Sequence, residues 1–266
     1  SYRRIRNTFR YLIGNLDGFE EKEKLDIDYF PELEKYILHR LWEINQTIEE
    51  CVKTFNFHLM FTTLLNFCSN DLSAFYFDIR KDSIYCDSVN SKKRRAARTL
   101  LNLIYNFLVR WLAPSLSFTC EEAWKARGNL SSIHLEDFIS TNANFKNNQL
   151  STKWYIIKNI RKVITGALEK KRADKIIGSS LEANIKVYLS DKLKKDISNV
   201  RLDEIAITSS FEVLSYDSQK PGFEMDDIQG VKVEVEKVKG DKCQRCWKYR
   251  ETLHSNNICD RCEEAI

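Results

Sequence analysis

Apolar residues in the first stretch of the chain fall at Ile5, Phe9, Leu12, Ile13 and Leu16, a spacing that lays one stripe along a helix from about Tyr2 to Leu16. Pro31 opens a second helix, striped by Leu38, Leu41, Trp42, Ile48 and Val52, that runs to about Lys53. Phe57, Phe61, Leu64, Leu65, Cys68, Leu72 and Phe75 predict a third helix up to about Asp78. A fourth begins among Lys92, Lys93, Arg94, Arg95 and Arg98, then carries Leu100, Leu103, Ile104, Phe107, Leu108 and Trp111 as far as Pro114. Thr119-x-x-Glu122 has the form of a capping box for a short closing helix through Trp124. Four to five amphipathic helices on short links predict an antiparallel bundle over residues 1–128.

The pattern dissolves into Ser, Asn and Asp over residues 129–150, which predicts a linker. A long helix follows from about Ser151 to Arg172, with Ile157, Ile160, Ile164 and Ala167 inward and Lys158, Arg161 and Lys162 outward. The period then changes to two. Residues 183–190, Ile205 to Thr208 with Phe211 to Leu214, and Val231 to Val235 predict strands, with a short helix from Lys192 to Val200 between the first two. This makes an α/β junction domain of residues 151–240, and leaves residues 241–266 as a separate module.

Length and composition allow real cores: 266 residues, 43% hydrophobic and 12% aromatic. Only 8 Gly and 3 Pro agree with long helices and few tight turns. With 42 basic against 38 acidic residues, any surface for nucleic acid must come from local clustering and not from a global excess. No run is long and apolar enough to span a bilayer and no signal peptide precedes the fold, which predicts a cytoplasmic protein with no membrane partner. The chain opens on Ser1 inside a helical pattern, so it is expected to be the carboxy-terminal piece of something longer, and monomeric.

The clearest chemistry lies near the end. Cys243/Cys246 and Cys259/Cys262 are two Cys-x-x-Cys pairs with twelve residues between them. Each tight turn supplies two thiolates, and four sulfurs can close a tetrahedron around one metal. Zinc suits all-thiolate four-coordination, and a site with no open position is structural. A rubredoxin-like iron site and a pair of short disulfides are the alternatives. The other cysteines, Cys51, Cys68, Cys86 and Cys120, sit singly in helical patterns and read as small buried hydrophobes.

A tetrathiolate zinc centre carries a charge near −2, and here Lys242, Arg245, Lys248, Arg250 and Arg261 surround it. Trp247 and Tyr249 are interleaved with them, giving flat faces for stacking beside donors for phosphates and base edges. The plainer role for Trp247 is to cover the sulfurs. Elsewhere, Arg3, Arg6 and Arg10 form a ladder on one side of the first helix, which is either a solvated face or a phosphate contact. Lys93, Arg94, Arg95 and Arg98 at a helix start oppose the macrodipole, and a phosphate backbone nearby would explain them.

Several stretches together resemble the isoleucyl-tRNA synthetase family of bacterial type, carboxy-terminal to its catalytic core. They are Tyr2-Arg-Arg-Ile-Arg-Asn-Thr-Phe-Arg-Tyr-Leu, Phe57-His, Asp71-Leu-Ser-Ala-Phe-Tyr with Asp78-Ile-Arg-Lys-Asp, Arg110-Trp-Leu-Ala-Pro, Ser117-Phe-Thr-Cys-Glu-Glu-Ala-Trp, Ile177-Gly-Ser-Ser-Leu-Glu-Ala and Cys243-Gln-Arg-Cys-Trp-Lys. The resemblance covers essentially the whole chain. It implies a mainly α fold in which an antiparallel bundle of the class I synthetase anticodon-binding type is followed by a small α/β junction domain and a four-cysteine zinc knuckle.

In function, the resemblance implies isoleucine-specific tRNA as partner, with the bundle along the anticodon stem and the zinc module at the anticodon loop. Cationic helices, Lys158, Arg161 and Lys162 included, would neutralise phosphates while Arg245 and Trp247 meet bases. The family's His-x-Gly-His and Lys-Met-Ser-Lys-Ser motifs and its editing insertion are not in this sequence, so ATP and Mg²⁺ would belong to a catalytic core outside it and the chain alone is expected to be inactive. Two other classes stand beside this one. The knuckle also resembles that of formamidopyrimidine-type DNA glycosylases, although the chain opens Ser1-Tyr2 instead of Pro then Glu. A structural bundle for protein contacts, hinted at by the acidic stretch from Glu20 to Asp28, is the other.

Overall fold

The computed structural model describes residues 1–266, which form two compact units, 1–148 and 149–266. The first is helical. It contains α1 (Tyr2–Asn15), α2 (Glu32–Lys53), α3 (Phe57–Asn66), a π-helical stretch (Phe67–Phe77) that runs without a break into α4 (Asp78–Cys86), then α5 (Lys92–Leu112) and α6 (Ser117–Ala126). Ile5, Phe9, Leu12 and Leu16 of α1 are buried where that helix meets α5, α6 and the π-helical stretch. Leu33, Ile37, Leu41, Ile44 and Ile48 of α2 face α3 and α5.

The third predicted helix does not stop near Asp78. It continues to Cys86, because over Phe67–Phe77 the winding widens to i→i+5 hydrogen bonds and the apolar stripe loses its α-helical phase. Buried residues there fall in columns four apart, Phe67, Asp71, Phe75 and Cys68, Leu72, Tyr76. A buried ion pair uses the new phase: Arg80 donates to Glu34 of α2 through Nε at 2.6 Å and Nη2 at 2.9 Å, and Tyr76 Oη adds a bond at 3.1 Å. Losing one member of such a pair strands a charge in the core.

The expected capping box is absent. Residues Ser117 and Phe118 are already helical, Leu116 is the N-cap, and no side chain caps it. Thr119 and Glu122 instead face α1, where Tyr2 Oη lies 3.0 Å from Thr119 Oγ1 and Arg6 lies 3.2 Å from Glu122. The segment after α6 is tied down on the helical unit. Ser131 carbonyl accepts from Trp124 Nε1, Glu121 accepts from Ser132 and from the Ile133 amide, Arg110 pairs with Glu136, and the Asn147 amide donates to His39 Nδ1. Ile133 and Phe145 are buried.

The second unit is built on α7 (Asn148–Ala173) and a mixed four-stranded sheet. Its strands are β1 (Ala183–Leu189), β2 (Ser210–Ser215), β3 (Phe223–Met225) and β4 (Ile228–Lys237), in the order β2-β1-β4-β3. Ile185, Val187 and Leu189 stand opposite Val235, Val233 and Val231, so two aliphatic rows meet over one face. Gly166 lets α7 approach the sheet, since a Cβ there would come within 2.8 Å of the Phe223 ring. Two short helices lie between β1 and β2, α8 (Asp191–Asp196) and α9 (Leu202–Ala206). The strand expected at Ile205 to Thr208 is therefore wrong. Leu202, Ile205 and Ala206 bury at helical spacing, and Ile207 ends the turn in a left-handed conformation.

Candidate metal centre and its exposed rim

The last 26 residues are held by short backbone ladders. Strand β5 (Asp241–Lys242) pairs with β6 (Tyr249–Arg250), and within that hairpin the Cys243 amide donates to Lys248 O and the Trp247 amide to Cys243 O, both at 2.9 Å. Gly240 is required at its entrance: its φ is +107° and a Cβ would come within 2.3 Å of the Arg250 carbonyl oxygen. The second turn closes through His254 N to Ile258 O and leads into α10 (Asp260–Glu263), whose N-cap is Cys259. Strand β6 is pinned to the sheet domain, because Ser209 accepts from the Tyr249 amide at 2.7 Å and its carbonyl accepts from Arg250 at 2.9 Å.

This frame brings Cys243, Cys246, Cys259 and Cys262 together. Their sulfurs all lie within 4.8 Å of one another, all four residues are buried, and Cys246 and Cys259 approach to 3.8 Å. A tetrahedron with metal–sulfur bonds of about 2.3 Å has edges of about 3.8 Å, so the cluster is of a size to hold one metal ion. No disulfide joins any of the eight cysteines, which removes the paired-disulfide alternative. Burial raises the Cys243 thiol, yet amide N–H groups of Cys246, Cys259 and Arg245 aimed at its sulfur more than offset this and bring it down to about 6. Burial pushes Cys262 up to about 11. Arg245 donates toward the Cys262 sulfur, so its guanidinium is turned at least partly to the cluster.

Trp247 directly follows the second cysteine of the first pair. It remains 58% exposed, with Lys242 Nζ 5.1 Å from its ring centroid. Its φ is +64°, a region that a bulky side chain enters only at a cost on the order of 1 kcal/mol. Lys248, Tyr249 and Arg250 are half-exposed beside it.

The other cations of the sequence reading are placed differently. Arg94 donates to Ile84 O; Arg95 donates to the carbonyls of Lys22, Glu23 and Lys24; Arg98, buried, reaches Asp17 O and the Glu23 carboxylate and lies over the Phe19 ring. Arg95 and Arg98 thus meet the acidic stretch from Glu20 to Asp28, so part of the macrodipole conflict at the start of α5 has an answer inside the protein. Lys93 is half-exposed beside them. Arg3 and Arg10 are exposed on α1, whereas Arg6 is paired with Glu122. On α7, Arg161 donates to Ile205 O, Lys162 pairs with Asp227 at 2.8 Å, and Lys158 is half-exposed. Burial holds the lone thiols Cys68 and Cys120 at about 12, where they are inert. No helix is long and apolar enough to cross a membrane.

A model of the anticodon-binding domain of tRNA ligases matches residues 34–189. The isoleucine–tRNA ligase of Pelagibacter ubique is 45% identical over 252 residues, 93% of this chain and 27% of that protein. Those of Zymomonas mobilis and Bartonella henselae are 39% and 43% identical, covering 100% and 96% of the chain and 28% and 26% of their own lengths. The chain thus spans about a quarter of the relatives it matches. The cysteine module lies beyond the residues of the family match and within the alignment with the Zymomonas mobilis protein.

Proposed function

Because this chain belongs to the anticodon-binding domain family of tRNA ligases, we propose that it is the part of an isoleucine–tRNA ligase that binds the anticodon stem and loop. The helical unit is then the antiparallel bundle of class I synthetases, set along the stem, and the cysteine module a zinc knuckle at the loop. One structural Zn²⁺ would sit on Cys243, Cys246, Cys259 and Cys262 and hold the turn that carries Trp247. ATP, Mg²⁺ and isoleucine would be handled by other parts of the ligase, in the cytoplasm, and this chain alone would not make aminoacyl-adenylate.

The observation that carries the proposal is the Trp247 ring. Its backbone is fixed by the Cys243–Lys248 ladder, in a strained conformation, with the ring in solvent. A preorganised ring loses little entropy when a splayed base stacks on it. Phosphate contacts would come from the exposed Arg3 and Arg10 and from the half-exposed Lys93 and Lys158, the first three on the helical unit and Lys158 on the second. Arg245 lies between the two cysteines of the first turn, beside the Cys262 sulfur, and would meet a base edge from there. In binding titrations with isoleucine tRNA, Trp247→Ala should weaken the complex by one to two decades, since stacking on a base is worth about 1–3 kcal/mol. Zinc content, read by elemental analysis, should stay at one per chain. Loss of zinc would make Trp247 a covering residue, and unchanged affinity would remove the anticodon role.

A further inference from the structure

A second feature of the same unit is a cleft of about 730 Å³ between α8, α9, β2 and β6, lined by Lys194, Arg201, Lys248 and Arg250 with Asp203 and Phe211. Four cations against one carboxylate leave three net positive charges. We propose that this cleft seats the phosphate and base of the RNA nucleotide that adjoins the one stacked on Trp247. The assignment rests on the anticodon-binding role proposed above, and it adds Lys194 and Phe211 to the residues that meet RNA.

Three observations support it. First, two of the cations are held by neutral acceptors that leave their charge uncompensated: Lys194 Nζ donates to Ser215 Oγ at 2.8 Å, and Arg250 donates to the carbonyls of Ser209 and Tyr249 at 2.9 and 3.3 Å. Arg201 is forked on a carboxylate, Asp203, at 2.9 and 2.7 Å. Charges fixed before the ligand arrives cost little ordering when it binds. Secondly, β2 is the outer strand of its sheet, so Phe211 lies on an edge whose far side no strand occupies. That gives the cleft an aromatic face and a row of backbone donors. Thirdly, Trp247 and Lys248 are consecutive, with Cα atoms about 3.8 Å apart. The ring and one cation of the cleft are thus carried by the same turn. The volume falls in the range of about 300–1,000 Å³ usual for small-ligand sites, which admits a single nucleotide and excludes a duplex.

The zinc-loaded full chain, titrated with an isoleucine tRNA transcript across a salt series, tests this. Lys194→Gln and Lys248→Gln should each lower the slope of log K against log salt by about 0.7, which near 0.1 M salt is about fivefold in affinity. Lys237→Gln, exposed at the end of β4 and outside the cleft, should match the parent. As an independent readout, RNA should protect Lys194 and Lys248 from acylation while Lys237 stays reactive. If Trp247→Ala weakens binding but the two cleft variants keep the parent's slope and Lys194 stays reactive, the cleft assignment falls and the anticodon role stands. If the parent chain binds no RNA, both fall. Protection of Lys194 by an acidic peptide and not by RNA also overturns the assignment and gives the free edge of β2 to a protein.

Discussion

Basic residues crowd two places in this molecule, the start of α5 and the module after Gly240, and the partners they find are of different kinds. At α5, Arg95 and Arg98 close on carbonyls and on the carboxylate of the acidic loop, and Arg98 is buried under that contact. Around the cysteines, Lys194 and Arg250 are held by a hydroxyl and by carbonyls at the mouth of an open cleft, and Trp247 is left in water. A run of positive charge in a sequence is thus equally compatible with an internal staple and with a nucleic-acid surface. What separates the two is whether an acidic segment of the same chain can reach it.

The largest expected effect is at the metal. With the proposed zinc on the four cysteines, Cys259→Ser should release it and, with it, binding energy on the order of 10 kcal/mol that holds the last residues folded. Elemental analysis should read below one zinc per chain, and amide exchange should rise in β5 and β6 while α1 to α6 keep their protection. Uniform unfolding of both units would contradict the separation described here. Next comes the core pair. Arg80→Met leaves the fully buried Glu34 carboxylate unpartnered by a cation, and urea titration of the helical unit should show a loss of about 3–5 kcal/mol.

Arg98→Ala separates an internal staple from a nucleic-acid surface at α5. It should cost about 1.5–3 kcal/mol of stability, because a buried charge-assisted contact to Glu23 and Asp17 is lost. Affinity for tRNA and its salt slope should not change. A reduced slope would move that cluster into the RNA surface after all. The smallest effect is one of pH. Burial holds His39 below its usual value, and its Nδ1 accepts from the Asn147 amide, so the folded form needs it neutral. The unfolded chain then binds the proton more readily, and stability should decline as pH falls below about 6.5, by at most about 1.4 kcal/mol per unit of depression. His39→Gln should flatten that part of the urea-against-pH curve; an unaltered curve would acquit His39.

Much of this was legible in the sequence because it is written in spacing. The stripes of α1, α2, α5 and α7 and the Cys-x-x-Cys pairs repeat at intervals that local geometry dictates. What was hidden depends on events between distant residues or on a change of period. The register of Phe67–Phe77 departs from 3.6 residues per turn, so the stripe breaks off at Asp78 while the helix continues. Ile205 to Thr208 alternates like a strand over four residues, and only the burial of Leu202 beside it reveals a helical turn. The cleft sets Lys194, Arg201 and Phe211 beside Lys248, and those three come from separate stretches, none of which looks basic or aromatic enough to attract notice alone.

The widened winding between Phe67 and Phe77 also bears on how this protein can vary in length. Each residue of an α-helix turns the chain by about 100°, so removing one residue from that stretch would swing everything after it around the axis. Arg80 would leave Glu34, and Tyr76 would lose the same carboxylate. Substitutions within these eleven positions can be absorbed one at a time, but a single-codon deletion there acts as a frameshift in space, and lineages carrying this fold should show length changes in the loops on either side and none inside it.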